Sequence, residues 1–215
     1  MRNFFDIDSP VMRFLTKLCD LMILNFLCVI CCIPVITIGA SVTALYSVNL
    51  KMARGEESYI IKSFFKSFKE NFRISTTIWL ILAVIGVLFY FDYKAIAFLP
   101  DSMRTLFYTV VGAAGLIYLL FLVYIFAYIA RFEHTIKNTM KNTILIAIGN
   151  LPYSVLLVGI PVCCVVLTFL NNTTFVYGTL VWILFGFSGI SYLSSIYFRK
   201  IFEKYEPKDE EKTEE

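Results

Sequence analysis

Few side chains in this sequence combine a reactive type with surroundings that would make it matter. Asp20 is the only acidic or basic residue between Leu18 and Leu50, and Asn25 follows little more than a turn later. In an apolar setting an acid or an amide is a candidate for ion or proton handling. A structural role competes: Asp20 lies three residues from Lys17 and seven from Arg13, the spacing of an ion pair on one helical face. Asn25 equally suits bonding between helices. Cys28-x-x-Cys31-Cys32 has the spacing of a thiol or metal motif, yet no second Cys/His cluster accompanies it to complete a four-ligand site. Cys19, Cys163 and Cys164 also sit in or beside apolar runs, where free cysteine behaves as a small hydrophobe. His134, the single histidine, stands beside Glu133 in a basic stretch and reads as a solvated loop residue. Paired acids, a Ser/Lys dyad and a Gly-rich phosphate loop are missing. The chain therefore names no catalytic residue, metal ligand or cofactor, and it reads as a non-enzyme.

The elements that must position these groups are overwhelmingly apolar. Of 215 residues, 59% are hydrophobic and only 16% charged, with a mean hydropathy of +0.75. Soluble domains average about 25% charged. A water-soluble fold of this size would leave roughly a third of its surface exposed, too much to hide so apolar a composition, so lipid is the remaining solvent. The fold class is all-α: a polytopic transmembrane bundle with residues 1–198 as one membrane domain.

The uncharged run from Leu21 to Leu50 decides the topology. As one straight helix it would be about 45 Å long, which needs a tilt beyond the usual range in a core of about 30 Å. Pro34 breaks the helix, and Gly39 offers a permissive backbone for a reversal. The sequence predicts a hairpin, Met12–Ile33 out and Ile38–Ala53 back. Its turn, Pro34 to Ser41, has two readings. It is an outer-surface turn whose Thr37 or Ser41 caps the returning helix, or an unwound segment lining a cavity. Further spans are expected at Ile74–Phe91, Thr105–Ala130, Asn142–Leu170 (kinked by Pro152 and Pro161) and Phe175–Phe198. Arg131–Lys141 reads as a basic loop, and Arg199–Glu215 as a disordered tail.

Between the hairpin and the third span, Ile61, Phe64, Phe65, Phe68 and Phe72 recur on one helical face, with Lys62, Lys66, Lys69 and Arg73 one position behind. An aromatic face beside a basic flank predicts a separate amphipathic helix, 58–73, lying against anionic headgroups. Nucleic acid is the rival partner for interleaved Lys and Phe, and so apolar a chain argues against it. Six spans place seventeen of the 19 Lys and Arg residues on one side, leaving only Lys94 and Arg104 on the other. The positive-inside rule then puts both termini in the cytoplasm. Gly112-Ala113-Ala114-Gly115 and Gly186 to Ser191 form small-residue faces that permit close helix approach.

The first seventy residues carry a recognisable pattern. Asp8-Ser9-Pro10-x-Met12-Arg13-Phe14, Lys17-Leu18-x-Asp20-Leu21 and Asn25 begin it; Pro34-Val35-x-Thr37-Ile38-Gly39-Ala40-Ser41-x-Thr43-Ala44-Leu45-Tyr46 and Phe64-Phe65-Lys66-Ser67-Phe68-Lys69-x-Asn71-Phe72 continue it. In these stretches the chain resembles the YesL-like bacterial membrane proteins, a family of unknown function; beyond about residue 75 the likeness rests on hydropathy. Members are often encoded beside carbohydrate-uptake ABC transporters in Gram-positive bacteria. The resemblance implies a multi-pass protein of the cytoplasmic membrane, an accessory to sugar uptake whose partners are ABC-type permease or sensor subunits. The alternative is a small-solute transporter or channel acting alone, which the broken first hairpin and the prolines of the fifth span would serve.

Overall fold

The computed structural model describes residues 10–56, 59–132 and 135–205, all helices and short connections. Along the chain these are α1 (Pro10–Cys32), α2 (Ile38–Arg54), α3 (Ile60–Ile96), α4 (Asp101–Ile129), α5 (Ile136–Gly149), α6 (Leu151–Thr168), α7 (Asn172–Val181) and α8 (Phe187–Phe202). A 3₁₀ turn, Val35–Thr37, joins α1 to α2, and a π-helical stretch, Trp182–Gly186, joins α7 to α8. Six segments are long and apolar enough to cross a membrane: α1, the turn with α2, α3, α4, α6, and α7 through α8. The chain is an all-α, multi-pass membrane protein.

The axis of the bundle is α2. Residues around its whole circumference are buried, from Gly39, Ala40 and Ser41 to Leu50 and Met52, and α1, α3, α4 and α8 all pack on it. Gly39 is what lets α3 approach. A Cβ there would stand 2.5 Å from the Ser75 carbonyl oxygen and 2.6 Å from Trp79 Cβ. Its role is thus close packing inside a helix and not the expected backbone reversal. The one positive φ among the described residues belongs to Gly55 (75°), which ends α2.

The expected separate interfacial helix does not form. Residues 60–96 make a single 37-residue helix, about 55 Å long at 1.5 Å per residue. The reason is a buried stripe that runs unbroken through the junction: Phe64, Ser67, Ser75, Ile78 and Leu82. Phe64 packs among Leu24, Leu45, Val48 and Met52, with Phe68 stacked beside it. Phe65 and Phe72 stay exposed, so the aromatic face is split. Lys62, Lys66, Lys69 and Arg73 are exposed and, at about 100° per residue, stand about 180° from the buried stripe.

Three further boundaries differ. The fifth span is two helices, because Asn150 (φ −127°, ψ 43°) interrupts the chain between α5 and α6; Pro152 sits in the first turn of α6 and Pro161 within it. The expected basic loop is helical from Ile136. The last helix continues to Phe202, because Phe198, Ile201 and Phe202 pack on Tyr124, Tyr128 and Phe132. Ser58, Glu133, His134 and the chain beyond Tyr205 lie outside the described residues, as do Asp8 and Ser9. Gly112 and Gly115 meet no neighbour, so their small-residue face packs on nothing here, whereas Ser188 and Ser191 are buried.

Candidate functional site

A π-helical stretch shifts backbone bonding from the i→i+4 to the i→i+5 pattern and leaves peptide groups out of register with their usual partners. In Trp182–Gly186 the fully buried Asn25 of α1 meets that need. Its Nδ2 donates to the carbonyls of Ile183 (2.6 Å) and Trp182 (3.2 Å), and its Oδ1 accepts from the Ser188 N–H (3.0 Å). Carbonyls only accept and an N–H only donates, so the partners fix the orientation of the amide. Asn25 is therefore a clamp between α1 and the last helix.

Asp20 is not part of this arrangement. It is half-buried and makes no ion pair among the described residues, so the expected pairing with Lys17 or Arg13 is replaced. Lys17 Nζ lies over the Tyr192 ring, 3.4 Å from its hydroxyl. The other candidate positions divide by place. Thr37 does not cap α2: its Oγ1 reaches back to the carbonyls of Cys31 (2.6 Å) and Pro34 (2.7 Å), and Ser41 Oγ donates to Thr37 O (2.9 Å). The break at Asn150 is closed internally. Its Nδ2 donates to Ile146 O (3.0 Å), while Tyr124 OH, Ser154 Oγ and Ala147 O form a chain of 2.7 Å contacts.

Beside the Asn25 clamp lies a chamber of about 590 Å³. Cys28 and Cys32 line it from the end of α1, Val42 from α2, Trp79 from α3, Phe126 from α4 and Trp182 from the π stretch. No acid, base or histidine is among its lining residues. The two thiols are 3.9 Å apart. Ser191, buried in the wall, carries a hydroxyl without a partner. Behind it Asn49 donates to Ser188 O (3.3 Å), with its own Oδ1 unmatched. Such a site can hold an apolar body; among its lining side chains the Cys28 and Cys32 thiols and the Tyr46 and Ser191 hydroxyls are of nucleophilic type, with no acid, base or histidine beside them in the wall.

Trp79, Asn49 and the π stretch escaped the sequence reading, and Ser191 entered it only as part of a small-residue face. The Ser188/Ser191/Ser195 spacing marks a buried face of α8, but nothing in it announces that Asn25 would bond to the backbone beside it. A family model described as a protein of unknown function, DUF624, matches residues 21–93, about a third of the chain. No curated protein and no solved structure matches the chain.

Proposed function

We propose that this is a non-catalytic accessory protein of the cytoplasmic membrane, with both termini in the cytoplasm, that serves a carbohydrate-uptake system by holding its permease or sensor subunits. The observation that carries it is the outward row on α3. Lys62, Lys66, Lys69 and Arg73 occupy the same helical face as the exposed Leu80, Val84, Val87 and Phe91. One face thus changes from apolar to basic without a turn of the helix. The eleven-residue step from Arg73 to Lys62 carries the row about 16 Å along the axis. Arg73 and Lys69 are placed for anionic headgroups, where each cation adds about 1 kcal/mol. Lys66, already paired with Glu70 (3.9 Å), and Lys62 stand beyond, within reach of a protein partner. The interior supports the same choice over solute transport, since Asn25, Asn150 and Ser154 are engaged with the chain's own backbone. The resemblance to YesL-like proteins supplies the sugar connection.

Extraction in mild detergent followed by affinity capture should co-purify ABC-type sugar permease or sensor subunits. Lys62→Glu, Lys66→Glu and Lys69→Glu together should lose them while the protein remains monodisperse. Repeated recovery of the protein alone, or flux of a sugar through liposomes holding only this chain, would overturn the proposal.

A further inference from the structure

We propose that the chamber beside Asn25 takes one acyl chain of a membrane phospholipid, admitted sideways because the α1–α2 turn lies inside the bilayer. Helix α3 is the ruler that places that turn: Trp79, whose Nε1 donates to the Val35 carbonyl, is six residues past Arg73, about 9 Å along the helix into about 30 Å of hydrocarbon. From Arg73 to Lys94 on α3 is twenty-one residues, about 32 Å. The first hairpin has cations at one end only, while α3 has them at both and measures a full crossing.

The turn is built for hydrocarbon. Ile33, Val35 and Ile36 are 75%, 66% and 57% exposed. Its one polar side chain, Thr37, turns inward to the Cys31 and Pro34 carbonyls, and Trp79 Nε1 donates to Val35 O (2.8 Å). Irregular backbone at membrane depth requires such internal partners. Past Trp79, α3 continues for seventeen residues to Ile96, about 25 Å, so the α3–α4 pair overtops the turn. The chamber lies at the base of that rise, and Val29, Ile33 and Phe187 at its edge are exposed.

Size and polarity select the occupant. The volume is about four times the ~150 Å³ that accommodates benzene. Two turns of a helix, about 10 Å across and about 11 Å long, exceed it. Water needs two to four polar partners, and the wall offers the one unpartnered Ser191 hydroxyl. An acyl chain fits all three limits.

The chain's only two tryptophans, Trp79 and Trp182, both line the chamber, so native fluorescence reports on it. In nanodiscs of phospholipid brominated along its acyl chains, emission should be strongly quenched. Val42→Phe with Ile190→Phe, which narrows the chamber, should reduce the quenching at least twofold, whereas Val84→Phe on the lipid-facing side of α3 should leave it unchanged. Equal quenching in the narrowed and native proteins would overturn the proposal. Should the narrowed variant fail to fold, native mass spectrometry of the unaltered protein decides. One phospholipid per chain surviving detergent exchange is expected, and none retained overturns it. Neither measurement involves a transport subunit, so this proposal and the accessory role fail separately.

Discussion

The α1–α2 and α3–α4 hairpins, helices of 23 and 17 residues against 37 and 29, are treated oppositely by the fold. The α2 leg is buried around its circumference, and its turn is tied by Thr37 and Trp79. Much of α3 beyond Leu82 and of α4 before Phe121 is exposed, with Val84, Val87, Leu106, Val110 and Ile117 facing outward. The difference teaches that hydropathy reports tolerance of lipid and not contact with it. On α2, which packs on protein, Gly39, Ser41, Thr43 and Asn49 are buried against neighbours; on the outward part of α4, Thr105 and Thr109 are exposed and Gly112 and Gly115 meet nothing. The sharpest way to break this comparison is by access from water. In a background with the six native cysteines replaced, Ile36→Cys in the first turn and Leu99→Cys in the second should differ more than tenfold in labelling by a membrane-impermeant maleimide, Leu99→Cys being the faster. Equal rates would put both turns in water.

Next in size is the Asn25 clamp. Asn25→Leu removes the amide from two carbonyls and one N–H at a site that water does not reach. A buried group left without its hydrogen bond costs about 1–3 kcal/mol, and measured intramembrane bonds average less, so a loss of about 2 kcal/mol is expected in unfolding from mixed micelles. Asn142→Leu, which removes one bond to Tyr128 at the edge of the bundle, should cost less than half as much.

How much of this was legible in the sequence follows from what each feature depends on. The hairpin was readable because Pro34 and the length of the uncharged run are local facts. The membrane class was readable because composition needs no geometry. The continuity of α3 was not, since Ser75, which helps hold it, is small and polar and acquires meaning only against Gly39 and Thr43 of α2. The break at Asn150 was displaced onto Pro152 for a similar reason. A proline in the first turn of a helix is tolerated, and it was the asparagine that could close the freed carbonyls. Asn25 was singled out correctly as a buried amide, while its partner is backbone, which no side-chain pattern reveals.

Glycines sharpen the contrast between the hairpins at smaller cost. Gly39→Val forces a side chain onto the Ser75 carbonyl, and overpacking of this kind costs about 1–3 kcal/mol. Gly115→Val on α4 meets nothing within 4 Å, so its stability should stay within about 0.5 kcal/mol of the parent, as for surface substitutions generally. If Gly115→Val proved as damaging as Gly39→Val, the α4 face would be covered by another chain, and its exposure would belong to the isolated protomer.

The smallest effect tests the ties themselves. Trp79→Phe and Tyr118→Phe each remove one hydrogen bond to a backbone carbonyl, the first to Val35 O across the hairpins, the second to Leu82 O within the α3–α4 pair. Both carbonyls have backbone donors available, that of Ile38 for Val35 and the helical one for Leu82, so neither loss strands a buried group. Trp79 also fills the chamber wall and packs at 6.5 Å from the Phe126 ring, and shortening it removes apolar contact as well as the bond. Trp79→Phe should therefore cost about 1 kcal/mol and Tyr118→Phe about half that or less. The order matters more than the values. A larger cost at Tyr118 would mean that the lipid-facing hairpin depends on internal bonding as much as the buried one does, and the division between them would rest on exposure alone.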